Sequence, residues 1–198
     1  YENNLYTNTN HYWLTWGESQ GLRYPSENVY PLQDLNQIDA PFSFNSVIKF
    51  EENNLFQSLP DQNTNEQWDS FDHYFFSPTI VGGGSQNFEL YIPDASLDGT
   101  YNIKVRLQGI IDGSRRINIS LNNRFLGSAE WNGNTTFDFL SDQFSNDDLI
   151  NGLNQLNISV ENLDGMVDRV ALDWIEIGYD RKFKVINEKL YFKKDGNY

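Results

Sequence analysis

Between Tyr101 and Leu121 the chain keeps a two-residue period, and that constrains its fold more than any other feature. Ile103, Val105 and Leu107 alternate with Lys104, Arg106 and Gln108; after Asp112-Gly113 the beat resumes at Ile117, Ile119 and Leu121. Successive side chains of a strand point to opposite faces, so each run buries one face and wets the other. The pattern recurs at Phe88, Leu90 and Ile92, and again at Leu156, Ile158 and Val160. Residues 11–16, 22–24, 43–50, 74–76, 125–131, 135–140, 169–179 and 183–192 supply further strand candidates. Helical periodicity is confined to short turns expected near residues 55–59 and 147–150. Asn122-Asn123 marks a tight turn, because Asn tolerates the dihedrals that such turns need.

Short, regularly spaced strands imply a mainly β chain: an antiparallel two-sheet β-sandwich, jelly-roll or galactose-binding-like. A barrel stays open, since alternation does not count sheets. The stretch 169–179 carries Leu172, Trp174, Ile175 and Ile177 on both phases, which suits a central strand. Residues 1–198 read as one sandwich domain. Within it residues 1–67 are less regular, and residues 183–198 begin a connection to a following domain. With 15% aromatic residues the core should be rich in rings, which pack well on pleated surfaces.

The formal charge of -14 repels phosphate backbones and argues against nucleic acid. No stretch approaches the roughly 20 apolar residues that span a bilayer, so membrane insertion is not expected. The chain has no cysteine, which removes disulfides, thiol nucleophiles and Cys-bound metals together. Its opening, YENNLYTNTNHYWLTWG, has no basic stretch leading into an apolar run. It therefore reads as an excised or processed segment rather than as a leader.

Catalytic groups are hard to find. His11 and His73 are the two histidines, and neither sits in a nucleophile-elbow motif. Gly82-Gly83-Gly84 lacks the Lys of a phosphate loop and reads as a tight connection. Acids are plentiful, but no pair is singled out by spacing. Asp138, Asp142, Asp147 and Asp148 could hold a structural calcium ion, as could Asp164 and Asp168; a solvated acidic surface is the commoner outcome of such composition. Trp68, Tyr74 and Trp131 are the aromatics to test for stacking on sugar rings, against the alternative that they fill the space between sheets. Arg181, Lys182, Lys184, Lys189, Lys193 and Lys194 crowd the C-terminal end. That end is either a solvated tail or a seam against an acidic neighbour.

Six segments, in order, resemble the non-catalytic β domain that precedes the peptidase domain of gingipain-like cysteine peptidases, including sortase-like proteins of the type IX secretion system. They are NHYWLTWG at 10–17, WDSFDHYFF at 68–76, KVRLQGIIDG at 104–113, INISLNNRFLG at 117–127, GLNQLNI at 152–158 and DRVALDWIEIGYDR at 168–181. The resemblance implies a bacterial, extracytoplasmic parent, at the cell surface or secreted. Its partner would be an adjacent peptidase-like domain or an envelope protein, contacted near Tyr179, Arg181, Lys182 and Lys184. The catalytic Cys and His of such proteins lie in a later domain, so no enzymatic role is expected of this chain. The alternative is a carbohydrate-binding module that uses exposed aromatics. A hydrolase comes third, for want of a convergent pair of acids.

Overall fold

In the computed structural model, which describes residues 42–58, 72–76, 78–163 and 167–185, the alternating runs become strands. Those residues all fall within Pro41–Tyr198. In chain order they form β1 (Ser43–Glu51), β2 (Leu55–Phe56), β3 (Tyr74–Phe75), β4 (Ile80–Val81), β5 (Ser85–Ile92) and β6 (Thr100–Gly109). There follow β7 (Ser114–Leu121), β8 (Arg124–Asn132), β9 (Thr136–Leu140), β10 (Phe144–Ser145), β11 (Gly152–Val160) and β12 (Arg169–Lys182). A 3-10 turn, Asn146–Asp148, separates β10 from β11.

The first sheet runs β1-β12-β6-β10, with β4 also on β12 and β9 also on β6. The second runs β5-β11-β7-β8, and β2 with β3 makes a separate ribbon. The pairings are antiparallel. The inward residues of both sheets meet in one core. Ile103, Val105 and Leu107 of β6 and Ile175, Ile177 and Tyr179 of β12 join Phe88, Leu90, Ile117, Ile119, Leu156 and Ile158 from the second sheet. Burying each Val, Leu, Ile or Phe side chain among them contributes about 1.5–3 kcal/mol, and this apolar closure holds the layers together. The architecture is the expected antiparallel β-sandwich.

β12 is central, flanked by β1 and β6, as its apolar residues on both phases required. Asn122 and Asn123 take φ of 48° and 68°, the left-handed pair that closes the β7–β8 hairpin. Three local expectations differ. Residues 55–56 form a strand rather than a helical turn, because Leu55 and Phe56 pair with Phe75 and Tyr74. β12 continues past Tyr179 to Lys182, held from Trp174 to Lys182 by β1. Residues 183–185, expected in a final strand, lie outside any strand. Strand candidates 11–16 and 22–24, the resembling segment at 10–17, His11, Trp68, Asp164 and residues 186–198 lie outside the described residues. No helix among the described residues is long and apolar enough to cross a membrane.

Candidate functional site

The register of β12 slips between Leu172 and Trp174. Leu172 lies opposite Leu107 and Ile175 opposite Val105, and all four belong to the core. Asp173 and Trp174 therefore occupy the space of one outward position. A bulge of this kind adds a residue to one strand and redirects its side chain. Trp174 lies beneath three cations: Lys49 Nζ and Lys104 Nζ are each 5.2 Å from its ring centre, and the Arg106 guanidinium is 4.9 Å away.

Asp173 meets two other acids. Glu51 ends β1 opposite Trp174, and Asp72 stands just before β3. One carboxylate oxygen from each of Glu51, Asp72 and Asp173 lies within 4.8 Å of the others. Asp173 is only 5% exposed, and its Oδ1 is buried without a hydrogen-bond partner. Burial first, then the negative charges of Asp72 and Glu51, pushes its carboxyl up to about 7. Glu51 also pairs with Lys49 at 2.6 Å, and Asp72 Oδ1 accepts a hydrogen bond from the Tyr74 amide at 2.8 Å.

The segment carrying Asp72 is fixed by its neighbours. The Phe76 amide donates to the Leu172 carbonyl at 2.8 Å, and the Gln57 amide to the His73 carbonyl at 2.8 Å. Phe75 packs with Ile110 and Ala171 in a small cluster of its own, while Phe76 joins the main core and meets Phe88 edge-on at 5.5 Å. Three carboxylates from three separate elements thus converge on one point. An all-oxygen set with an unpartnered buried oxygen suits a hard divalent cation, since calcium takes about six to eight oxygens and accepts bidentate carboxylates.

The residues nominated from sequence stand outside the triad. Asp138 makes a two-point ion pair with Arg106, at 2.7 and 2.8 Å. That bond, the largest influence on it, holds the Asp138 carboxyl below the ordinary range. Asp168 is buried against Arg115, Asp148 lies 3.7 Å from Arg124, and Asp142 and Asp147 are exposed. Trp131 is 9% exposed and stacks on Phe137 at 5.0 Å between centroids; its indole N–H donates to the Thr135 carbonyl. Tyr74 is half-buried and meets Phe56 edge-on. Tyr179 is wholly buried and donates from its hydroxyl to the Pro93 carbonyl. Arg181 and Lys184 both reach Asp94, while the Lys182 side chain is exposed and its amide donates to the Asp94 carbonyl. His73 is buried beside Phe56, its Nδ1 3.3 Å from the Gln57 carbonyl.

Glu51 and Asp173 escaped sequence reasoning because they are remote from each other and from Asp72 along the chain. The one available signal was the broken period at Leu172-Asp173-Trp174-Ile175, where an acid and a large ring stand between two core positions.

No protein-family model matches the chain, and no curated protein matches it. Among solved structures, dimeric latent PorU from Porphyromonas gingivalis is similar over 72% of this chain, with a TM-score of 0.54 and 12% identity. The match covers 13% of the PorU chain, so this chain spans a small part of that protein's length. A carbohydrate-binding module in complex with calcium and xylotriose aligns over 66% of this chain and 98% of its own, with a TM-score of 0.43 and 18% identity. A similar module of a multidomain xylanase from the hindgut metagenome of Trinervitermes trinervoides aligns over 68% and 96%, at 0.39 and 12%. At these identities the PorU likeness concerns the fold.

Proposed function

We propose that this chain is a non-catalytic module of a larger, exported bacterial protein of the gingipain-associated kind, acting by contact rather than by bond-making chemistry. The observation that carries the reading is its likeness in fold, over 72% of its length, to a portion making up 13% of PorU. A sandwich of this size inside a much longer chain is an accessory part. The six ordered segments that resemble the β domain of gingipain-like peptidases point the same way. In this reading the module sits outside the cytoplasm, carries a structural calcium ion, and meets its neighbour at the end of β12. There Lys182 and Lys184 are exposed, and Phe183 and Val185 are exposed beside them.

A carbohydrate-binding role is the second reading, favoured by the outer face of the second sheet. Tyr91 is 63% exposed there, opposite Leu153. In the rows below, Gln155 stands opposite Glu89, and the Asn157 amide donates to Asn87 Oδ1 at 2.7 Å. A ring beside amide groups is suited to stacking and hydrogen bonding with a neutral sugar.

Lysine-directed cross-linking of the intact parent protein, read by mass spectrometry, separates the two. The contact reading expects links from Lys182 or Lys184 to a neighbouring domain or envelope protein, and finding none from either lysine overturns it. Glycan binding by the same protein that is lost in Tyr91→Ala moves the assignment to the second reading.

A further inference from the structure

The acids at the slip in β12 have a structural consequence, and it rests on the reading of the chain as a calcium-bearing, non-catalytic module. We infer that a calcium ion held by Glu51, Asp72 and Asp173 latches the β2–β3 ribbon to the first sheet.

Each acid comes from a different part of the chain. Glu51 closes the edge strand β1 and Asp173 belongs to central β12, whereas Asp72 leads into β3 of the ribbon. Their convergence within 4.8 Å brings three carboxyl groups together where Asp173 is almost fully buried. Like charges at such range repel strongly away from water. The nearby cations do not cancel this. Lys104 and Arg106 are paired with Asp138 and lie over Trp174, and Lys49 reaches Glu51 rather than Asp173. Asp173 Oδ1 is left facing no donor. A buried carboxylate oxygen without a partner costs stability, and a cation among the three acids turns that cost into attraction.

Among the described residues, the ribbon segment meets the sandwich through Phe75, against Ile110 and Ala171, through Phe76 in the main core, and through the Phe76 amide on the Leu172 carbonyl. The two ribbon strands are two residues each, too short to stand alone. A cation bridging Asp72 to Glu51 and Asp173 would therefore stiffen residues 52–58 and 72–76 far more than the sandwich core.

The intact chain is tested with terbium as a luminescent stand-in for calcium, Trp174 beside Asp173 serving as antenna, followed by calcium competition. Hydrogen exchange is then compared in calcium and in chelator at equal ionic strength. The wild type should bind one ion at this site, and Asp173→Asn and Asp72→Asn should each weaken it by about 100-fold. Asp138→Asn, in an ion pair outside the triad, should bind as the wild type does. In chelator, Asp173→Asn should melt no lower than the wild type, since it removes a repelled charge; that also shows that it folds. Calcium should slow exchange at 52–58 and 72–76 by at least about tenfold and leave β6 and β11 nearly unchanged. Absence of binding, or binding that survives Asp173→Asn, overturns the site and leaves the contact reading to its own cross-linking test. Binding at the triad without local protection overturns the latch alone.

Discussion

Arg115 carries a charge inside the sandwich, with no side-chain exposure. Its guanidinium lies 3.1 Å from Asp168, donates to the carbonyls of Gly133 and Ile111, and rests 5.2 Å from the Trp131 ring. One planar group thereby ties the approach to β12, the turn after β8 and the loop before β7. Removing one partner of a buried pair leaves the other charge uncompensated, which costs about 3–5 kcal/mol. Arg115→Met should therefore lower unfolding free energy in urea by about 3–5 kcal/mol. Arg115→Lys should recover little, because a point charge cannot reach three acceptors spread in a plane. A loss below about 1 kcal/mol would mean that the loops repack without the clamp. The two-residue phase already sets Arg115 inward with Ile117 and Ile119. Its partner was illegible, since alternation says nothing about a residue 53 positions away.

At the scale of elements, the end of β12 is clasped rather than free. Asp94 is buried, with φ of 57° in the link from β5 to β6. It takes Lys184 Nζ at 2.9 Å and Arg181 at 3.3 Å, its amide donates to Asn151 Oδ1, and its carbonyl accepts from the Lys182 amide. The Lys184 hydrogen bond, the largest influence, with Arg181 beside it, holds the Asp94 carboxyl below its ordinary 3.8. A carboxyl depressed on folding stabilises the fold above its unfolded value and loses that contribution as pH falls through the folded one. Asp94→Asn should thus be less stable than the wild type by about 1–2 kcal/mol at pH 6, Lys184 being largely exposed. The gap should close as the pH drops below 3.8. Equal acid sensitivity of the two proteins from pH 6 to 2, on the scale of about 0.3 kcal/mol, would refute the clasp. Long strands such as β6, β7 and β11 were readable because five or more residues display a period. β2, β4 and β10 have two residues each, which shows no period, and pairing alone makes them strands. The slip at Asp173 showed in sequence only as apolar residues on both phases, which suits a central strand and leaves the bulge unplaced until the facing strand is known.

For the molecule as a whole, 28 acids against 14 bases set up a field of one sign. Folding draws those charges together, so the compact state is the more strained by repulsion. Against this stand surface pairs such as Arg116 with Glu130 and Glu161, and Lys49 with Glu51; exposed pairs contribute about 0–1 kcal/mol each and weaken in salt. The two effects respond to salt with opposite sign, so the direction of the response tells which dominates. Acids outnumber bases two to one, and among the described residues more acids stand outside the ion pairs than within them, so screening should favour the folded chain. Raising NaCl from about 20 to about 300 mM at pH 7, which shortens the Debye length from about 20 to about 6 Å, should raise Tm by a few degrees. A fall in Tm would show that the surface pairs contribute more than the excess charge opposes. Calcium should add a further rise at fixed ionic strength, and that increment should vanish in Asp173→Asn while the sodium response stays. Only an ion seated among Glu51, Asp72 and Asp173 separates the two responses in this way, because general screening does not distinguish one buried carboxylate from the rest of the surface.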